Sequence, residues 1–418
     1  MEYIKNFKNI DLIINNIPEN NEILLLGEST HGTKEFYETR ANITKKLVEN
    51  NNYNIILFET DWFNMYSINK YINHSSDKTI ETLMSSFKYF PIWMWKNNII
   101  KDLIEWLKSY TKKSKKKIYL LGLDCYLLIE SLEWIYTFLK LVDIELYEKI
   151  RMDLQFVKNY KKTGDLIFDI MSNKLPMNDQ CFEEYLQNLL IIIQDNTEKY
   201  KKICLEKKID TFSVISVEIC CDVIINSYEY FKKQYIEPSG SNASWNARDQ
   251  HMLMTIMKLK DNIMDTKIIV WAHNSHIGDA TATENGGTTF VNNNTWNLGQ
   301  MCRAMFLNTY IIGFGTYNGS VTAAQEWDKK SEIFVLNIPI EDSIENIVYN
   351  LCKKKNINDC FINLENCKYE PFNILKKQRM IGVIYNPNNE LQSHYVTSIL
   401  SKHYNLYIFI SHTEHLVK

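Results

Sequence analysis

The stretch Ile23–Arg40, ILLLGESTHGTKEFYETR, decides how the rest of the chain is read. Its leading apolar residues, Ile23 to Leu26, are too few for a helix and suit a buried strand. Gly27 and Gly32 then bracket a short loop that holds Glu28, Ser29, Thr30 and His31. Beyond it, Phe36, Ile43 and Leu47 recur at helical spacing, which predicts a helix from about Glu35 to Asn50. Strand, polar loop and helix in that order is the unit with which open α/β sheets place their chemistry, at the carboxyl edge of the strands. Arg40 shares the helical face of Phe36, Ile43 and Leu47. A charge on a buried stripe needs a specific partner, because burying a lone charge is expensive. Glu28, or another carboxylate at the same edge, is the expected partner.

Similar apolar runs recur along the chain and several close on a polar residue. Asn54–Glu59 (NIILFE) ends in Glu59, and Ile118–Asp124 (IYLLGLD) ends in Asp124. Ile268–His273 (IIVWAH) is followed by Asn274 and His276, and Tyr310–Thr316 (YIIGFGT) is a further strand. Near-continuous apolar runs are the pattern of parallel strands covered on both faces. Helical segments lie between them, so the expected class is α/β, a largely parallel sheet flanked by helices. From Tyr126 to about Tyr235 the pattern is helix after helix, as in Leu128–Leu141, Cys181–Ile193 and Phe212–Tyr230. This is read as a helical cap insertion over 126–240, between core segments 1–125 and 241–418. RMIGVIYNP (Arg379–Pro387) and YNLYIFISHTEHL (Tyr404–Leu416) are expected to add two strands that close the core. The aromatic stretches Trp62–Tyr66 and Phe90–Trp95 (FPIWMW) fit either ordinary core or the wall of an apolar substrate cleft.

Composition narrows the partners. The chain has 418 residues, 45% of them hydrophobic, enough for a large core. Its 47 basic and 50 acidic residues leave a net charge of −3, which gives no general attraction to nucleic acid or an anionic membrane. The one dense cluster, KKSKKK (Lys112–Lys117), reads as a solvated turn between a helix and a strand. The start, MEYIKNFKNID, lacks the apolar core of a signal peptide, and no apolar run approaches membrane-spanning length. Nine cysteines without a C-x-x-C pair read as reduced thiols in a cytoplasmic protein.

The residues able to do chemistry come from distant segments: Glu28, His31, Glu59, His273 and His276, with Asp124, Arg248 and Asp249. The last two lie on a helix beginning near Trp245, where Trp245, Arg248, Met252, Ile256 and Leu259 share a face, so Arg248 is expected to point inward as Arg40 does. Both arginines are expected to reach one cluster with Glu28 and Glu59. A site so rich in charge is costly to fold unless every charge is paired, and that cost argues for function. Ester hydrolysis needs a base that titrates near neutrality and a carboxylate to orient it. His31 meets the first requirement, and Glu28 or Glu59 the second. His273 or an arginine would stabilise the oxyanion or protonate the leaving group, with His276 orienting His273. Two rival chemistries use the same residues. Ser29 sits on a strand–loop–helix turn, but GESTHG departs from the G-x-S-x-G nucleophile elbow at its last position, where His31 replaces glycine. His31, His273 and His276 with Glu59 could bind zinc, although H-x-x-H after a strand lacks the helical register of zincins.

The set GESTHG, Arg40, LFETDW, WNARDQHM and KIIVWAHNSHIGDA resembles the erythromycin esterase family. The likeness runs in order through NLGQMCRAMF, IIGFGTYNGSVTAAQEWD and RMIGVIYNP to SHYVTSILSKHYNLYIFISHTEHL, weakest across the helical middle. It implies an α/β core with a helical cap and hydrolysis that requires neither metal nor other cofactor. It also implies that His31 is the general base, with Glu28, Arg40, Glu59, Arg248, His273 and His276 lining one cleft. Trp62, Asp124 and Asp249 join Arg40 and Arg248 as expected substrate-binding residues. The expected partner is a small-molecule ester or lactone. Macrolide lactones belong to the antibiotic-resistance branch of that family and are not required by the resemblance. The same broad fold is similar to haem-binding lipoproteins, which keeps a non-catalytic small-molecule binding protein as an alternative.

Overall fold

Ile23–Leu26 is completely buried and has a parallel neighbour on each side, so no polar face is needed and none is present. In chain order the strands are β1 (Ile4–Asn6), β2 (Ile23–Leu26), β3 (Ile55–Asp61), β4 (Tyr119–Asp124), β5 (Ile268–Trp271), β6 (Thr309–Ala323) and β7 (Glu332–Val335). They continue with β8 (Cys360–Asn363), β9 (Leu375–Arg379), β10 (Tyr395–Ile399) and β11 (Leu406–Thr413). A nine-stranded sheet runs in the order β1, β8, β11, β6, β2, β5, β3, β4, with β7 added to β6. The pairs from β11 through β6, β2 and β5 to β3 are parallel, and β1, β7 and β8 pair antiparallel. The fold is therefore α/β, with a largely parallel sheet flanked by helices. The computed structural model describes residues 3–7, 9–236, 242–284, 286 and 295–417.

Two compact units divide the chain. The first comprises Met1–Glu59, Ser67–Leu121 and Asp265–Lys418 and carries the sheet; the second comprises Thr60–Tyr66 and Gly122–Met264. The helix predicted after the first loop spans Lys34–Asn50, with Phe36, Tyr37, Arg40, Ile43 and Leu47 on its buried side. β6 runs further than expected, because its last residues leave the parallel register and pair antiparallel with β7 from Ser320 to Ala323.

Arg379–Pro387 does not form the expected strand. Only its first residue belongs to one: β9 ends at Arg379 and pairs with β10 as a separate two-stranded ribbon. The rest is buried for another reason. Ile381 and Tyr385 pack with Val321, Ala323 and Leu336, held only by single bridges from Ile381 to Thr30 and from Ile384 to Ala324. A short apolar run signals burial, and burial does not require a ladder.

In the second unit the helices follow one another: Leu128–Val142, Ile144–Asp153, Thr163–Met171, Asp179–Asp195, Thr197–Glu206, Phe212–Ile236 and Ala243–Asn262. The expected cap segment 126–240 falls within it. Phe212–Ile236 is its centre, touching the helices Leu128–Val142, Thr163–Met171, Asp179–Asp195 and Ala243–Asn262. It is buried on every side from Phe212 to Ile224, which is the expected consequence of a helix with little amphipathic contrast. Among the described residues no helix is long and apolar enough to cross a membrane.

Buried titratable side chains pull the response of stability to acid in opposite directions. Burial holds His251 down to about 4 and His403 to about 3, from an ordinary value of 6.5. The unfolded chain then binds protons that the native state refuses, so stability falls as pH drops from 6.5 towards 4. Glu345 acts in the opposite sense: burial pushes its carboxyl from 4.5 up to about 7, so acidification through that window favours the native state. A tenfold change in proton affinity is worth ~1.4 kcal/mol. On going from pH 7 to pH 5, the urea midpoint of Glu345→Gln should therefore shift further downward than that of the wild type. An equal shift in the two proteins would contradict a raised Glu345 carboxyl.

Candidate active site

The loop after β2 is threaded so tightly that its bounding residues have to lack a side chain. A Cβ on Gly27 would stand 2.1 Å from Asn274 Oδ1, and one on Gly32 would stand 1.8 Å from the Thr322 carbonyl oxygen. Between them, the Ser29 carbonyl accepts from Ile381 N at 2.7 Å and His31 N donates to the Ile381 carbonyl at 3.2 Å. The Glu28 carbonyl accepts from Asn274 N at 2.8 Å. The apolar segment that failed to become a strand thus serves as the backbone clamp of the loop.

Held this way, Glu28 and His31 face each other. His31 Nδ1 lies 2.9 Å from Glu28 Oε1, and Arg40 Nη2 donates to Glu28 Oε2 at 2.5 Å. Arg40 is 0% and Glu28 1% exposed, so the pair is sealed from water. A carboxylate held by a guanidinium is an acceptor, which assigns the His31 proton to Nδ1 and leaves a lone pair on Nε2. Tyr37, on the same helix, is driven to a high pKa first by burial and then by the Glu28 charge.

The other half of the site comes from the ends of β3 and β5. Glu59 Oε2 accepts from His273 N at 2.8 Å, while Glu59 Oε1 lies 3.3 Å from His276 Nε2. One carboxylate therefore fixes both the backbone of one histidine and the ring of the other. Asn274 Nδ2 donates to the Phe314 carbonyl at 2.7 Å, pinning this turn to β6. His273 Nδ1 accepts from Ser275 N at 3.3 Å and lies 2.7 Å from its hydroxyl, so the ring proton belongs on Nε2. That Nε2 is buried with no hydrogen bond of ordinary geometry, and the His273 ring stands 4.7 Å from the His31 ring, centroid to centroid. Burial, and then the neighbouring His31, push the His273 pKa well below its ordinary value. At neutral pH it is an uncharged imidazole whose N–H lies near the Ser29 backbone without a well-aligned bond to it. The arrangement offers a base at His31 and a donor at His273 on adjacent rings.

Ser29 is buried, and among the described residues no histidine hydrogen-bonds its hydroxyl, so it lacks the adjacent base a serine nucleophile needs. Among the described residues no group of three or more His, Cys, Asp or Glu side chains is arranged to hold a metal ion. A groove of about 850 Å³ opens elsewhere in the first unit, lined by residues such as Lys34, Asn318, His412 and His415; Glu28, His31, Glu59, His273 and His276 do not line it.

Arg248 turns inward on its helix. Its fork closes on Asp124, with Nε at 2.9 Å from Oδ1 and Nη2 at 2.7 Å from Oδ2, inside the second unit. A helical face says that a charge turns inward but not which strand end it meets, and the Asp124 partner could not be read from it. Asp249 is buried on the same helix. Trp62 is also buried in that unit, with Nε1 donating to Ser216 Oγ at 2.9 Å. In the first unit Trp93, Met94 and Trp95 are buried, and Trp95 stacks on Phe58 at 5.1 Å, as core residues do. Tyr37, Trp271 and Ser275 were missed. Tyr37 alone carried a signal, sitting one helical turn before Arg40.

Known proteins resemble the chain over most of its length. The family model described as erythromycin esterase matches residues 48–413. The erythromycin esterase type II of Escherichia coli is 23% identical over 82% of this chain and 81% of its own length. The putative hydrolase YbfO of Bacillus subtilis is 25% identical over 81% of this chain and 74% of its own. Among solved structures, one titled a succinoglycan biosynthesis protein superposes with a TM-score of 0.76 at 17% identity, covering 99% of this chain and 95% of that one. A mutant of the erythromycin esterase EreC in its open conformation gives 0.64 at 17% identity, over 96% and 93%. These structural likenesses concern the fold. The family match, spanning most of the sequence, establishes that the chain belongs to the erythromycin esterase family of hydrolases.

Proposed function

We propose that this protein cleaves a small-molecule ester or lactone by attack of a water molecule activated by His31. The observation that carries the reading is the run Arg40, Glu28, His31, set beside the His273 ring, whose buried Nε2 makes no well-aligned hydrogen bond. His31 Nε2 takes a proton from water as the oxygen adds to the acyl carbon. The oxyanion that forms accepts a hydrogen bond from His273 Nε2–H, a donor that is already oriented. Collapse of the intermediate breaks the bond to the leaving alkoxide, which receives the proton held by the His31 imidazolium. The products are an acid and an alcohol, joined in one molecule when the substrate is a lactone.

The scheme needs Glu28 as an acceptor and His273 as a donor. Glu28, paired with Arg40, stays an acceptor for His31 Nδ1–H, and burial keeps His273 neutral and therefore able to donate. The chain supplies base, donor and orienting carboxylates from its own side chains. The substrate is a small molecule rather than a nucleic acid or a membrane, in keeping with a net charge of −3 and only one dense basic cluster.

The test is hydrolysis of a p-nitrophenyl ester before and after exhaustive chelation. Saturable turnover that survives chelation is expected. Stoichiometric zinc by elemental analysis, with activity lost on chelation and restored by zinc, would replace the reading with a metallohydrolase built on His31, His273 and His276.

A further inference from the structure

Arg40 presents a problem in hydrogen bonding. Of its guanidinium nitrogens only Nη2 reaches Glu28; Nε and Nη1 are buried without a well-aligned acceptor, the Tyr37 hydroxyl being close enough to interact with the guanidinium. Orphaned donors on a buried cation are costly, and a guanidinium with no exposed surface has no water to turn to. What faces it instead is aromatic. Arg40 Cζ lies 4.6 Å from the Tyr37 ring centroid and 4.7 Å from that of Trp271, the two rings standing 83° to one another. A ring face is electron-rich and attracts a cation, most strongly where water is excluded.

The two rings are themselves fixed. Trp271 Nε1 donates to Thr44 Oγ1 at 3.0 Å, and its ring packs on Phe58 at 4.7 Å. Tyr37 stands on the helix that carries Arg40 and meets the guanidinium through its ring face, with its buried hydroxyl interacting with the same group. Trp271 is the last residue of β5, two positions before His273. The guanidinium thus joins the helix behind the His31 loop to the strand that delivers His273.

We infer that Tyr37 and Trp271 are positioning residues, whose ring faces clamp the Arg40 guanidinium so that Glu28 holds His31 in its Nδ1–H tautomer and in register with His273. Their effect on catalysis rests on His31 acting as the base; their effect on the Glu28–His31 hydrogen bond does not.

The experiment separates the two by replacing Tyr37 with phenylalanine and then with mono-, di- and trifluorophenylalanine. Size barely changes along this series while the ring face loses electron density, so the fold is kept and only the cation–π contact weakens. Two quantities are read: kcat and KM for p-nitrophenyl ester hydrolysis, and the exchange rate of the His31 Nδ1 proton by 15N NMR. Tyr37→Phe, which also removes the hydroxyl beside Arg40, is the reference against which the fluorinated rings are compared. Fluorination should then lower kcat progressively, to about tenfold at the trifluoro ring, with KM nearly constant and Nδ1–H exchange rising in step. A flat response of Nδ1–H exchange across the series overturns the inference, whatever the activity does. Graded exchange with flat kcat keeps the clamp on Glu28 and His31 and removes His31 from the chemistry instead.

Discussion

His31→Asn is expected to fold as the wild type does and to lose hydrolysis of an activated ester by a factor of about 10² or more, the usual size of a general-base contribution. The asparagine amide can still meet Glu28, so the buried carboxylate keeps a donor. What disappears is the lone pair at the Nε2 position, the one feature of His31 that the proposed reaction consumes. The loss should fall on kcat, because the ring is not required for holding an ester. Far-UV circular dichroism checks the fold and steady-state kinetics check the rate. Turnover near the wild-type value in a folded variant would remove His31 from the mechanism.

Arg40→Ala has the larger expected effect on stability. It leaves Glu28 buried and unpaired, and removing one member of a buried pair costs about 3–5 kcal/mol. The truncation also strips the faces of Tyr37 and Trp271, so little in the cavity can compensate. Arg40→Lys keeps the charge, but an ammonium is compact and strongly hydrated and lacks the planar, delocalised group that meets both rings. It should therefore be damaged in both activity and stability. Urea denaturation of the two variants, followed by fluorescence, gives the comparison. Stability within about 1 kcal/mol of wild type for Arg40→Ala, the scale of an exposed pair, would mean that Glu28 is not held as a buried anion.

Much of this site was legible in the amino-acid order because strand ends in a parallel sheet converge on one edge. Gly27-Glu28-Ser29-Thr30-His31-Gly32 stands out by its glycines, which meet Asn274 Oδ1 at 2.1 Å and the Thr322 carbonyl oxygen at 1.8 Å from where a Cβ would sit. Arg40 on an apolar face could only be paired, and its partner proved to be Glu28. Arg40 meets Glu28 through one nitrogen and not as a fork, because Glu28 divides its two oxygens between Arg40 and His31. The bidentate pair belongs to Arg248 and Asp124. Periodicity reports which way a residue faces along its own element, and it carries no information about the element opposite. For the same reason Tyr37 and Trp271 looked like ordinary core, and Arg379–Pro387 like a strand. Each is apolar and buried as expected, but its particular neighbour is a tertiary fact.

The central claim is that water, and not a side chain, attacks the acyl carbon. Its most direct test is the intact mass of the protein, acid-quenched at intervals during a single turnover of a slow p-nitrophenyl ester. Direct attack predicts an unmodified mass at every time while the phenolate is released. An adduct of the acyl group that rises and decays with turnover, on Ser29 or on any other side chain, would contradict the claim.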